Sequence, residues 1–364
     1  MKTCEERLAR INRVEEPLKG RPRTWLVTGC AGFIGSHLAE RLLELGQSVV
    51  GLDNFSTGKP ENLFHIRSSI GEARWKNFRF IEGDIRRLAD CREACREVEL
   101  VLHEAALGSV PRSIDDPIAT TENNVMGFVT LLVAARDAGV SRFVYASSSA
   151  VFGDHPAMPK VEPQIGKAVS PYGLSKHVDE LYAEVFARCY GFEAIGLRYF
   201  NVFGPRQAAN GAYPSVIPAW ISALLRGEPA YVNGDGKFSR DFCHVDNVVQ
   251  ANLLAATVEA PEALNQAYNV ALGGETTLNE LFEMIRALVA RRLPQQRGAR
   301  PIYRELRKGD LPYTRADIGK ARRLLGFDPK VSVMQGLERT VDWYADELAA
   351  NPGEMGEHRS LVNA

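Results

Sequence analysis

Apolar and polar positions along the chain alternate between short buried runs and stretches of helical period. Trp25-Leu-Val-Thr reads as a buried strand, and past a glycine-rich turn Leu38, Leu42 and Leu45 recur at helical spacing until Gly46, which predicts the helix stop. Ser48-Val-Val-Gly-Leu52 forms the next strand and ends at Asp53. Further strands are predicted at residues 78–81, 100–103, 143–146 and 194–199, most of them separated by helical stretches. This alternation predicts an α/β fold, a parallel sheet with helices on both faces. After Asn201-Val-Phe-Gly-Pro the texture changes. Short apolar runs are broken at Asn210-Gly-Ala-Tyr-Pro and Asn233-Gly-Asp-Gly, which predicts a looser second lobe. A charged segment with an Ile11/Val14 stripe precedes the first strand and predicts an appended helix, and the tail after about Asn351 is polar.

The chain's 364 residues suggest two domains, or one large domain with insertions. Its 45% hydrophobic content supports a sizeable core. Lysine and arginine number 44 against 45 acidic residues, so there is no basic excess to attract a nucleic acid or an anionic membrane. The six cysteines contain no C-x-x-C pair, which argues against a zinc ribbon, and they are too scattered for a disulfide framework. Seven basic and four acidic side chains in the first 23 residues exclude a secretory apolar region there. No uninterrupted apolar run reaches the length of a bilayer span. The expectation is a cytoplasmic, reducing setting.

Candidate chemistry begins at Gly29-Cys-Ala-Gly32-Phe-Ile-Gly35, between the first strand and the first helix. A pyrophosphate there needs a sharp turn, close approach of backbone N–H groups and tight helix–sheet packing, which glycines allow. Asp53 lies 18 residues beyond Gly35 at the end of the second strand, where a carboxylate accepts hydrogen bonds from adenosine ribose hydroxyls. It also repels a 2′-phosphate, and neither Asn54 nor Phe55 offers a compensating cation, so NAD is favoured over NADP. Asp84, after the third strand, is placed by the same geometry to touch adenine.

Ser147-Ser-Ser149 follows a strand, and Tyr172-Gly-Leu-Ser-Lys176 opens the next helical pattern. Residues four apart share a helix face, so Tyr172 and Lys176 can meet one ligand. A free phenol titrates near 10, and a nearby ammonium stabilises its phenolate form. With a serine hydroxyl on the substrate oxygen, the set makes a proton relay beside a hydride acceptor. Y-x-x-x-K alone is a weak signal. The ordered series of glycine turn, acidic strand end, serine strand end, tyrosine and lysine is much more specific.

On these residues the chain resembles the extended short-chain dehydrogenase/reductase family, and within it the UDP-hexose 4-epimerases, from about Thr24 to Tyr344. His103-Glu-Ala-Ala106, Asn123-Asn-Val125, Arg198-Tyr-Phe-Asn-Val-Phe-Gly204, Ser239-Arg-Asp-Phe242, Asp246 and Arg307-Lys-Gly-Asp310 extend the likeness, which is nearest to the bacterial UDP-N-acetylglucosamine 4-epimerases. The resemblance implies a Rossmann-type doubly wound parallel sheet with a smaller C-terminal substrate-binding lobe. The NAD-binding domain would span 1–200, with 1–23 an extension and about 240–271 returning to it; 201–364 would be mainly the UDP-sugar lobe.

By the same resemblance, Ser148, Tyr172 and Lys176 are catalytic. Tyr172 would take the proton of the sugar 4-hydroxyl while hydride leaves C4, and the 4-keto sugar would turn over before hydride returns to its other face. NAD would lie against Gly29, Gly32, Phe33, Ile34, Gly35, Asp53, Asn54, Ser56, Thr57, Gly58, Asp84, Ile85, Ala105, Ala106, Asn124, Tyr172, Lys176 and Tyr199. The UDP-sugar would be held by Ser148, Ser149, Asn201, Val216, Tyr231, Arg240, Arg307 and Asp310. Thr314 falls where a large tyrosine restricts the family to plain hexoses, so a threonine implies room for an N-acetyl group. The resemblance also implies a homodimer joined through helices near 124–138 and 172–190, and no metal. The rival readings are a UDP-glucuronate or UDP-glucose 4-epimerase and, from another class, a non-catalytic NAD-sensing module. A 4,6-dehydratase is disfavoured because Ser149-Ala150-Val151 lacks an acidic pair.

Overall fold

The computed structural model describes residues 18, 20–209, 214–305 and 313–350. Its centre is a seven-stranded parallel sheet formed by β1 (Thr24–Thr28), β2 (Ser48–Asp53), β3 (Phe78–Glu82), β4 (Leu100–His103), β5 (Arg142–Ser148), β6 (Ala194–Tyr199) and β7 (Ala267–Val270). The spatial order is β7-β6-β5-β4-β1-β2-β3. This is the doubly wound arrangement, and chain direction across the sheet reverses between β1 and β4. The expected strands are all present, and β5 runs two residues further than predicted, through Ser147 and Ser148.

Alternation along each strand builds two cores. Trp25 and Val27 join Leu38, Leu42, Val248 and Ala251 on one face, under the helices Phe33–Glu44 and Val245–Thr257. Leu26 points the other way, into a cluster with Phe128, Leu131, Phe143 and Phe186, under Gly127–Asp137 and Pro171–Tyr190. Both faces of the strands are therefore apolar, as a parallel sheet requires. The helical run from Pro117 to Asp137 has the length and hydropathy of a membrane-crossing segment, yet Phe128, Leu131 and Leu132 on it are fully buried in the second cluster. A π-helical turn, Glu122–Met126, interrupts that run at Asn124.

The chain divides into two compact units. The first comprises Met1–Val202, Asp241–Gly274 and Thr314–Val331; the second comprises Phe203–Arg240, Glu275–Tyr313 and Ser332–Ala364. Thr314–Val331 thus belongs to the first unit, although the sequence reading put it in the C-terminal lobe. The reason is local. Asp241 receives Leu272 N and Gly273 N at 3.0 Å and Ala316 N at 3.2 Å on one fully enclosed carboxylate, and Asn269 Nδ2 donates to Lys160 O and Asp317 O. These buried polar ties are invisible to hydrophobic periodicity. In the second unit the helices Val216–Arg226, Leu278–Arg292 and Val333–Ala350 pack together, with Trp220 edge-on to Phe282 and Arg292 bridging Asp342 and Asp346.

Candidate active site

The switch point between β1 and β4 is built by backbone demands. Gly29 has φ +67°, a left-handed conformation that favours glycine, and a Cβ there would lie 2.9 Å from Ala105 N. A Cβ on Gly35 would lie 2.1 Å from Gly29 O, so the helix Phe33–Glu44 starts in contact with the turn only because residue 35 is glycine. Thr28 Oγ1 meets His103 Nδ1 at 2.7 Å and accepts from Ala105 N at 3.2 Å, which locks the ends of β1 and β4 together. Burial, and then the Lys176 charge, pull His103 down to about 3, so it is a neutral structural imidazole.

Phe33 and Ile34 occupy the first turn of that helix, whose N-cap, Gly32, supplies no side-chain acceptor. The first N–H groups of a helix lack intrahelical partners and attract an anion. Asp53, buried at the end of β2, accepts from Ala31 N at 2.9 Å and Phe55 N at 2.8 Å; burial raises its pKa while those donors oppose the rise. Asn54, Ser56, Thr57 and Gly58 form a loop returning over the glycine turn, where Lys59 N and Asn62 Nδ2 both reach Ala31 O. A Cβ on Gly58 would touch the Asp53 carboxylate. The cradle, uncapped helix start and strand-end carboxylate together fit a dinucleotide.

Two residues assigned to the dinucleotide are committed elsewhere by their side chains. Ile85 packs its side chain where a Cβ on Gly127 would sit, in the core, and its carbonyl accepts from Cys91 Sγ. Asn124 Nδ2 donates to Leu107 O and Ser175 Oγ, and its Oδ1 accepts from Leu107 N, so it clamps the segment holding Ala105 and Ala106 to the tyrosine helix. The Asp84 carboxylate is held by Arg86, then by Asn54, and lies at about 2. Tyr199 donates to Glu104 Oε1 at 2.8 Å and accepts from Asn252 Nδ2 at 2.8 Å. Burial raises Glu104 to about 8, against the Tyr199 hydrogen bond and the Lys176 charge.

The serine turn and the tyrosine helix abut through Gly173, where a Cβ would lie 2.7 Å from Ala150 O. Ser148 ends β5 and caps the short 3₁₀ turn Ser149–Phe152, accepting from Ala150 N at 3.1 Å. Ser170 caps the tyrosine helix through Gly173 N, with Pro171 in its first turn. Tyr172 N is held by Ser113 Oγ at 3.1 Å. Four residues on, Lys176 is buried with Nζ 3.3 Å from Asp179 Oδ2. Burial pushes Asp179 up to about 7, opposed by Lys176 and reinforced by Glu180.

The three serines divide their roles. Ser147 is structural: its hydroxyl donates to Glu180 Oε1 at 2.6 Å, and Glu180 forms a paired bridge to Arg198, whose guanidinium also reaches Glu162 O and lies over Phe152. Sequence reasoning missed Asp179, Glu180, Arg198 and Glu104 as parts of this neighbourhood. Carboxylates three and four residues after Lys176 on a core-facing helix were the available signal.

Asn201, at φ +33°, directs Nδ2 to Asp241 O, and Thr314 Oγ1 is buried with no hydrogen-bond partner. The second unit carries Val216 at the start of its helix, Arg240 donating to Ser239 O, and Tyr231, whose ring is covered by the Arg304 guanidinium at 3.2 Å. Arg307 and Asp310 lie outside the described residues. No group of three potential metal ligands occurs among the described residues.

A model of the NAD dependent epimerase/dehydratase family matches residues 25–271. The chain belongs to this family, whose cofactor is NAD. Among its epimerase/dehydratase relatives, the UDP-glucose 4-epimerase of Mycolicibacterium smegmatis is 38% identical over 325 residues, covering 88% of this chain and 98% of that one. The structure of a UDP-N-acetylglucosamine 4-epimerase from Methanobrevibacter ruminantium, in complex with UDP-N-acetylmuramic acid, is 35% identical with a TM-score of 0.81, covering 90% of this chain and 99% of that one. A UDP-glucuronic acid 4-epimerase from Bacillus cereus, solved with UDP-glucuronic acid and NAD, is 29% identical with a TM-score of 0.78, covering 89% and 99%.

Proposed function

We propose that this epimerase/dehydratase inverts C4 of UDP-linked hexoses reversibly, with UDP-N-acetylglucosamine and UDP-N-acetylgalactosamine as its preferred pair. The observation that carries the reading is the placement of Ser148 and Tyr172 on touching turns, with buried Lys176 one helical turn on, in the unit that also holds the dinucleotide cradle. NAD, held at the glycine turn and Asp53, supplies a reversible hydride acceptor when bound. Ser148 hydrogen-bonds the sugar 4-oxygen. Tyr172 takes its proton and later returns it, so the cycle is neutral in protons. The Lys176 ammonium favours the phenolate through its positive charge.

Asn201 and Arg240, with Arg307, are assigned to the diphosphate, since guanidinium groups suit phosphate by charge and paired N–H donors. Val216 and Tyr231 are assigned to uracil, Asp310 to the uridine ribose and Ser149 to sugar hydroxyls. Thr314 supports the acetamido preference: a small residue with an enclosed, unpartnered hydroxyl is suited to an amide, where a tyrosine would fill the space. The plain UDP-hexose and UDP-glucuronate readings draw on relatives so named. Incubating the protein with each UDP-sugar and separating the products decides among them. We expect fastest turnover of the acetamido pair, and no turnover of it overturns the preference.

A homodimer is part of the same proposal. Leu174, Leu181 and Val185 are exposed at 50%, 47% and 48% on one stripe of the tyrosine helix, beside Met126 at 56% on the preceding one. Contiguous apolar surface of this kind fits a self-complementary interface. The double substitution Leu181→Glu and Val185→Glu is expected to halve the molar mass measured by light scattering.

A further inference from the structure

Asp179 has no role in the chemistry described above, and its surroundings do not explain it as a stabilising residue. It sits in the interior of a 20-residue helix, where aspartate is a poor helix former, and its side chain is fully enclosed between that helix and the sheet. One carboxylate oxygen meets Lys176 Nζ at 3.3 Å; the other, Oδ1, is buried with no hydrogen-bond partner. A buried pair satisfied on one side only is weak support for a fold, and apolar side chains in place of both residues would serve the packing as well.

The pair has a geometric consequence instead. Lys176 carries its charge on a long side chain with many rotamers, and Asp179, one turn further along the same helix, fixes where that charge sits. The charged groups acting on Asp179 are Lys176 and Glu180 on its own helix, with Tyr145 on β5 nearby; Glu180 is neutralised by Arg198 on β6. Lys176 is thus the cation left to Asp179.

We propose that Asp179 is a positioning residue for the proton relay, anchoring the Lys176 ammonium and limiting how much of its positive charge reaches the phenol of Tyr172. The inference rests on Tyr172 and Lys176 acting as the relay. Above about pH 7, where Asp179 is ionised, it partly cancels the lysine charge, and a neutral residue in its place leaves that charge whole. The phenolate is then better stabilised and Tyr172 works as a base at lower pH.

The test is the pH dependence of kcat for NAD-loaded wild type and Asp179→Asn with the UDP-sugar that turns over fastest. The acidic limb is expected to move down by about one pH unit in the variant, while KM for the sugar changes less than about twofold. Asp179→Ala leaves no buried amide behind and is expected to give the same shift, so it replaces Asn if that variant does not fold. An acidic limb that superimposes on wild type overturns the proposal. An active Tyr172→Phe overturns the relay itself; an inactive Tyr172→Phe beside an unshifted Asp179 variant overturns only the role of Asp179.

Discussion

Asp179 and Glu180 are consecutive on one helix, and both face the sheet, yet they live in opposite circumstances. Both Glu180 oxygens are used, by the paired Arg198 bridge and the Ser147 hydroxyl, and Arg198 is itself stacked on Phe152 and bound to Glu162 O. Asp179 has one partner, Lys176, and one empty oxygen. The Glu180 neighbourhood is a closed polar network that ties β5, β6 and the tyrosine helix together. The Asp179 neighbourhood is an incomplete one pressed against the relay. Buried networks rigidify when complete, and an incomplete one is expensive to keep for stability alone. Completeness therefore separates the part of this helix that holds the fold from the part that serves chemistry.

Removing Arg198 should have the largest effect on this contrast. Arg198→Met leaves Glu180 charged and unpaired inside the protein, and we expect a loss of about 3–5 kcal/mol in denaturant unfolding. Asp179→Ala also takes a partner from a buried charge, the Lys176 ammonium, and should cost less, about 1–3 kcal/mol, because one of the oxygens it removes was already unpartnered. Equal losses would erase the distinction. Next in size, Tyr172→Phe should lower kcat by about 100-fold or more with the melting temperature unchanged, since it removes the proton acceptor and little packing.

The smallest effect concerns Glu104, whose carboxyl belongs to the Tyr199–Asn252 chain. Its folded-state value of about 8 lies above that of an unfolded glutamate. A raised acid contributes stability below the unfolded pKa, and that contribution is lost as pH rises through the folded one. Glu104→Gln should therefore flatten the decline in melting temperature between about pH 5 and pH 8, gaining on wild type at the alkaline end. A parallel pair of curves would remove Glu104 from the stability balance.

The positions of the glycine turn, Asp53, the strand ends and the candidates Ser148, Tyr172 and Lys176 were readable along the chain. Each depends on local rules: strand alternation, helical period, left-handed backbone at Gly29, and the four-residue repeat that puts a phenol and an ammonium on one face. Ile85 and Asn124 were read as dinucleotide contacts through the family resemblance alone. Tertiary packing gives the Ile85 side chain to the core beside Gly127 and makes the Asn124 amide a clamp on Leu107 and Ser175.

What the linear order determined by itself was the alternating sheet-and-helix architecture and the type of chemistry, because periodicity and residue type are properties of neighbours in sequence. Only the folded chain decided that Thr314–Val331 rejoins the first unit, that Ser147 belongs to Arg198 and Glu180 and not to the reacting group, and that Asp179 meets Lys176 with an oxygen to spare. Those outcomes turn on which buried polar groups find partners across long sequence separations. That balance of desolvation against hydrogen bonding is struck in three dimensions and leaves no period along the chain.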